Sequence, residues 1–529
     1  MQTVASGWTT EERDTVRQIA SNLQISWEKE SLLANRLFTI GVSLIGGNDI
    51  IGINPGAIGS PGNYRYFDES DYVTSLAWER GFRMPIGGIT KALAEAKLDN
   101  TSGRFTPRYM GGTSELFTAI LPRRPTIINA GFNYGGIDQT IPVFAGQITK
   151  QPGVDKRNGE VDLQMADYVG FFEDRTVDKT AIYTSVTTDT IIENLLIDQG
   201  MSTAQYDLDP GINVIPFALF EKGQKLSNAI NKLVEAENGH MYQDESGIFK
   251  FENRQHWDSS PYTEVQRVIT TAQVLNAEQP SEDHIINVVE IKSKVRQKAI
   301  QQKLWSLSSA MLIPANGTLE IFADFTDDYG AVPVLQITVP TYSATVTPTS
   351  FYSTNTIDDG TGSANNSAIS IKNYSQFATS YKITFQNTSS QNTYITAFDI
   401  WGRPAKVTSE IYTKKQRDAS VTAYEEKTLT IDDNPFIQNQ DWADSFAELL
   451  LEDFAEIENL QTISIRALPE LALGDLISWQ GRYFRIFNIR TKLDPGEGFI
   501  QELKLVQRSI NSYIRIGISS IGGSDKIAP

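Results

Sequence analysis

Short runs in which apolar and polar residues alternate recur along most of this chain, and that period of two restricts it to a β-rich fold. PTIINAGF, IPVFAGQITK and GEVDLQMADY follow one another between residues 124 and 173. QTISIRAL, DLISWQ, RYFRIFNIR and FIQELKLVQR close the sequence. Helical spacing interrupts them at few places. Residues 11–34 and 90–97 read as helical. TDTIIENLLIDQG (188–200) is helical, with Thr190 and Glu193 at capping-box spacing and Gly200 as the stop. Lys222–Glu237 carries Leu226, Ile230, Leu233 and Val234 on one face and closes at Gly239. Residues 440–458 align Trp442, Phe446, Leu449, Leu450, Phe454 and Ile457. The fold class expected is α+β, mainly β.

At 529 residues the chain is long enough for about three or four domains. Composition shifts near residue 306, from which Ser, Thr, Asn and Tyr dominate up to 403, with strands such as TLEIFADF and YKITFQN. That stretch reads as an inserted antiparallel sandwich or jelly roll. The divisions expected are an N-terminal arm or helix (1–35), a first β-domain (36–175), a helix-containing domain with connecting strands (176–305), the insertion (306–403), a second β-domain with a helix (404–510) and a tail (511–529).

The tail repeats an earlier phrase, IGVSLIGGNDII (40–51) returning as IGISSIGGSDKI (516–527). Ile40, Gly41, Ser43, Ile45, Gly46, Gly47, Asp49 and Ile51 recur as Ile516, Gly517, Ser519, Ile521, Gly522, Gly523, Asp525 and Ile527. Each copy is a strand that turns at Gly-Gly, where a positive φ is free of steric cost. These repeats are expected to dock on related surfaces of neighbouring proteins.

Charge and chemistry narrow the function. A formal net charge of −18 opposes duplex DNA binding, which needs a basic stripe. The densest basic run, Lys292, Lys294, Arg296 and Lys298, alternates along a strand and reads as a solvated or protected face. With no cysteine there is no disulfide framework and no thiol chemistry. The start, MQTVASGWTT, lacks a signal-peptide pattern, and no apolar run reaches the roughly 18–20 residues of a membrane span. His240, His256 and His284 form no HExxH pair, so no metal site is expected. Ser114 in GGTSEL has no identifiable base. Glu320 with Asp324, and Asp327 with Asp328, could be drawn as carboxylate pairs but stand at strand ends and turns. Asp358-Asp359-Gly360 lacks EF-hand spacing. No catalytic residue, cofactor or metal is assigned. Aromatics of the insertion (Trp305, Tyr342, Phe351, Tyr352, Tyr374, Tyr381 and Trp401) belong to a sandwich core or to a sugar-stacking platform, with Tyr352, Tyr374 and Trp401 the candidates to face a glycan.

Several phrases recur in a characteristic order: LDNTSGRFTP (98–107), IPVFAGQITK (141–150), VDLQMAD (161–167), the helix IIENLLIDQG, a second helix, SGIFKFENR (246–254), the third helix, ISIRALPELALGDLISW (463–479), YFRIFNI (483–489) and GEGFIQELKLVQR (496–508). This succession resembles the bacteriophage tail hub proteins, also called baseplate hub or tail-tip proteins, over most of residues 70–510. The resemblance implies two β-barrel-like domains per chain and a homotrimer at the virion tail tip, made in the bacterial cytoplasm. It implies as partners a distal tail or tube protein ring, tail fibre or spike proteins and a tape-measure protein, with DNA passing through unbound. It assigns no enzymatic activity. The alternatives are a host-recognition protein binding surface glycan through 306–403, and a wall-degrading hydrolase. Asp99 and Asn100 fit a turn, Gly146 a strand bend, and Pro469, Gly474 and Asp475 the tight lead-in to a strand.

Overall fold

A computed structural model describes residues 18–27 and 66–507, apart from 178–181, 221–222, 279–281, 328–329, 345–348 and 495, together with Gln2 and Val4. The molecule is mostly β. One sheet of fourteen strands spans both ends of the sequence. Its early strands are β1 (Ile19–Ile25), β2 (Val73–Gly81), β3 (Leu93–Asp99), β4 (Pro125–Tyr134), β5 (Ile137–Ile148) and β6 (Glu160–Ala166).

Helical spacing therefore misled at 90–97 and, within 11–34, over residues 19–25; residues 11–17 and 28–34 lie outside the described residues. Residues 19–25 pair with β4, and Leu93–Asp99 pairs with β2 and β6. In β3, Ala94, Ala96 and Leu98 are buried while Leu93, Glu95 and Lys97 are exposed. Alanine's high helix propensity masked that alternation, and cross-strand packing overrode it.

Two helices and four strands follow in the middle of the chain. They are α1 (Thr188–Asp198), α2 (Leu226–Glu237), β7 (His240–Gln243) and β8 (Phe249–Glu252), then β9 (Val288–Lys298) and β10 (Gln302–Ser306). Gly200 ends α1 as expected, at φ +82° with its N–H on the Ile197 carbonyl at 2.8 Å. The cap at the other end is Thr187 rather than Thr190, the two hydroxyls lying 3.1 Å apart. Asn238, not Gly239, takes the left-handed turn after α2.

Strands of the 306–403 stretch include β11 (Thr318–Asp324), β12 (Val334–Ile337), β13 (Ile369–Gln376), β14 (Ser380–Asn387) and β15 (Thr393–Gln416), which runs on past it. Two sheets, β11–β14–β13 and the strands gathered around β15, bury one core that includes Ile321, Tyr381, Phe385 and Phe398. β15 does not stop there. Its C-terminal half pairs with β9 along the latter's full length, and β16 (Thr428–Asp432) adds a parallel edge.

Helix α3 (Gln440–Phe454) packs on this ribbon, started by Asn439, whose side chain accepts from the N–H groups of Asp441 and Trp442. Phe446, Leu450 and Phe454 join the α1 and α2 core, and Trp442 stacks on Phe446 at 5.2 Å. The chain returns to the large sheet as β17 (Leu460–Arg466), β18 (Leu476–Trp479), β19 (Arg482–Asp494) and β20 (Gly498–Gln507).

Candidate functional site at the strand seam

Residues from opposite ends of the sequence meet where β2 pairs with β19. Leu76 lies opposite Leu493, Trp78 opposite Thr491 and Arg80 opposite Ile489. Behind this seam sit two apolar cores that exchange residues. Phe499 of β20 joins Leu76, Trp78 and Phe132, while Phe82, just after β2, joins Ile463, Phe484 and Leu503. The N- and C-terminal β-units are therefore one sheet with two cores.

The other face of the seam is polar. Period-two alternation places Ser75, Ala77, Glu95, Lys97, Asp162, Gln164, Arg490, Lys492 and Glu502 along an open groove of 580 Å³. Strand register sets opposite charges side by side. Lys97 faces Asp162, and Arg490 stands between Glu79 and Glu502. Lys492 pairs with Glu497 at 2.8 Å and lies 3.8 Å from Asp494. The Gly496 N–H and the charge of Lys492 hold the Asp494 carboxyl below its ordinary value, and the Glu497 bond lifts the Lys492 ammonium above its own. The groove's three cations, Lys97, Arg490 and Lys492, sit among five carboxylates, Glu95, Asp162, Asp494, Glu497 and Glu502.

Residues singled out in the sequence hold this frame. Gly146 lies where β5 leaves β4 and begins to pair with β6, and a Cβ there would meet the Ala166 carbonyl oxygen at 2.3 Å. Asp99 accepts the Thr101 N–H, and buried Asn100 accepts that of Phe105. Asp167, 2% exposed, accepts the N–H groups of Ala92 and Val169, and burial pushes its carboxyl up to about 7. Gly474 takes φ +81° against the Trp257 ring, and burial raises the carboxyl of Asp475. Ser114 donates to the Arg104 carbonyl at 2.6 Å, a loop contact.

A second polar cluster lies between β8 and the C-terminal strands. His256 Nδ1 is 2.7 Å from Asp209, and its Nε2 is 3.3 Å from Glu252, which also accepts the Tyr242 hydroxyl at 2.7 Å. Burial opposes protonation of His256, but the Asp209 bond and the Glu252 charge win and raise its pKa. Only the i,i+4 spacing of Glu252 and His256 hinted at this arrangement. His240 instead stacks between Phe82 and Trp257, at 4.4 and 5.2 Å, and His284 lies in a short turn at 282–284. Among the described residues no group of three or more His, Cys, Asp or Glu is placed to hold a metal, and no helix is long and apolar enough to cross a membrane.

The candidate glycan-facing aromatics do not come together. Tyr352 lies in the insertion core at 5.0 Å from Phe385, Trp401 is half-buried, and Tyr374 is exposed at the sheet edge over Tyr381. Phe322, exposed and not foreseen, shares a face with Lys382, whereas Tyr374 aligns with inward-pointing Ile383 on the opposite face.

Neither copy of the twin motif falls within the described residues. The docking residues expected in the first copy, Ile40, Gly41, Ser43, Gly46, Gly47 and Asp49, lie outside them. So do their counterparts in the second copy, Ile516, Gly517, Ser519, Gly522, Gly523 and Asp525.

No protein family matches the chain by sequence, and no curated protein does. Solved structures do resemble it. They include a tail protein from Neisseria meningitidis MC58 (TM-score 0.45, 8% identity, covering 85% of this chain and 95% of that one). Another is the 43 kDa tail protein of prophage MuSo2 from Shewanella oneidensis (TM-score 0.42, 8% identity, 84% and 95%). A third is an E. coli component of the type VI secretion system described as similar to T4 tail proteins gp27 and gp5 (TM-score 0.36, 9% identity, 83% and 74%). The neighbours are phage tail proteins and secretion-system components.

Proposed function

We propose that this chain is a structural virion protein, a hub at a phage tail tip. Three copies join the tail tube to the host-adhesion apparatus and enclose part of the path by which DNA leaves. The observation that carries this reading is the seam: one polar sheet face runs unbroken across two β-units, and register sets its cations against carboxylates. Duplex DNA is held by cations that replace its counterions. A wall whose cations are already paired offers phosphates little to bind, so DNA can slide past it. The ordered phrases between residues 98 and 508 support the same reading.

In this reading 36–175 and 404–510 are the two hub β-domains, 176–305 braces them, 306–403 stands out from the ring, and the twin motifs dock on adjoining tail proteins. Partners are the distal tail or tube ring, a fibre or spike, and the tape-measure protein. The hub carries no enzymatic activity.

Imaging the purified full-length protein by negative stain, without imposed symmetry, should give three-fold rings with a central hole. Virions carrying Glu95→Lys with Asp162→Lys should eject DNA more slowly, and unchanged kinetics would remove the seam from the channel wall. Deleting 511–529 should weaken tail assembly without unfolding the hub; normal tails from that variant would sink the docking role.

A further inference from the structure

The sequence separates its charge into two blocks. From Ile291 to Leu319 there are five cations (Lys292, Lys294, Arg296, Lys298, Lys303) and no carboxylate. From Thr428 to Ile465 there are nine carboxylates and no cation. Folding turns each block into a surface.

On β9 Glu290, Lys292, Lys294, Arg296 and Lys298 occupy every second position and so share one face; beyond Lys294 the other face opens too, with Val295 half-buried and Gln297 exposed. The lower half is neutralised within the chain. Glu290 binds Lys414 at 3.0 Å and Lys292 at 3.6 Å, and Lys294 lies opposite Glu410. A bulge in β15 then changes the partners. Arg296 lies opposite Val407 and Lys298 opposite Ala405, and Lys298 reaches Gln336, the register partner of Arg403. Arg296, Lys298 and Arg403 thus share one face with no carboxylate opposite. Beside it Ile300, between β9 and β10, is 83% exposed and Val407 is 46% exposed.

The acidic block forms the outer side of α3. Asp441, Glu448 and Glu452 recur at i, i+7 and i+11, within about 20° of one line on a helix, and Asp441 and Glu452 are exposed. Exposed Asp432, Asp433 and Glu456 flank them. Glu448 turns to the ribbon, lying 3.2 Å from Arg417 and 3.8 Å from Lys415.

We propose that the neck of one copy, Arg296, Lys298 and Arg403 with Ile300 and Val407, docks on the acidic α3 face of the next copy. The inference deepens the trimer of the proposed function and rests on it. Two different patches meet, so the contact is heterologous and closes into a ring when the rotation permits. Charge sets orientation and Ile300 supplies the desolvated centre.

The test is light scattering after size exclusion on the full-length protein at 50 and 500 mM NaCl. Wild type should assemble at 50 mM and loosen at 500 mM, because screening weakens exposed charge pairs. Lys298→Glu with Arg403→Glu, or Asp441→Lys with Glu452→Lys, should each weaken association by ~10-fold or more, as expected for like charges brought together. The chain carrying all four substitutions should assemble again, a recovery that misfolding could not give. Assembly indifferent to both reversals overturns this docking surface and leaves the trimer standing. A wild-type protein that stays monomeric at 50 mM overturns the inference together with a trimer in free solution.

Discussion

The seam and the neck are both built where two distant strands pair in register, yet they treat charge in opposite ways. At the seam, Lys97, Arg490 and Lys492 each have a carboxylate opposite or alongside. At the neck, one bulge in β15 exchanges Glu410 for Val407 and Ala405 as the partners of β9, and the cations lose their counter-charges. A single added residue in a strand is enough to convert a self-neutralised face into one whose cations have no carboxylate opposite. Net charge alone does not distinguish the two, since both lie on the same acidic chain.

That contrast can be broken first from behind the seam. Trp78 is 3% exposed in the core beneath β2, and Trp78→Ala should cost about 3–5 kcal/mol. Urea denaturation reads the loss, and an unchanged midpoint would mean that the seam does not hold the two β-units together. A pH series sharpens the same region. The raised pKa of Asp167 means that the folded chain keeps a proton which the unfolded chain releases above about 4. Stability from this group is complete below that value and is lost as pH rises towards 7. Asp167→Asn should flatten the decline between pH 4 and 7 in thermal melts; an identical slope in both proteins would refute the assignment.

Smaller effects separate the two polar faces. Arg490→Glu places three carboxylates in one row and should cost about 1 kcal/mol by the same denaturation assay. Lys298→Glu at the neck should change stability by less than about 0.5 kcal/mol, since no carboxylate faces it. A neck reversal as costly as the seam reversal would show that the two faces do not differ.

Much of this was legible in the residues. Alternation located the strands after 124, Gly200 and Gly146 marked a stop and a bend, and the apolar stripe of 440–458 named the buried face of α3. The helical reading of 90–97 failed because Ala94 and Ala96 suit both a helix and a tightly packed sheet. The seam itself was out of reach, because its register joins residues 76–81 to 488–493, and nothing local to either segment encodes the pairing. For the same reason the run Lys292–Lys298 looked uniform along the chain. Only the cross-strand partners reveal that its two halves differ.

β15 is a single strand of 24 residues, about 80 Å of extended backbone at roughly 3.3 Å per residue. It begins in the core of the insertion and ends against α3, with no loop between the two. The insertion core and the ribbon under α3 therefore share one continuous backbone and its hydrogen-bonded rungs. Bulges interrupt its pairing with β9 and with β12. Because no loop joins the two, the insertion cannot turn relative to α3 without bending this strand.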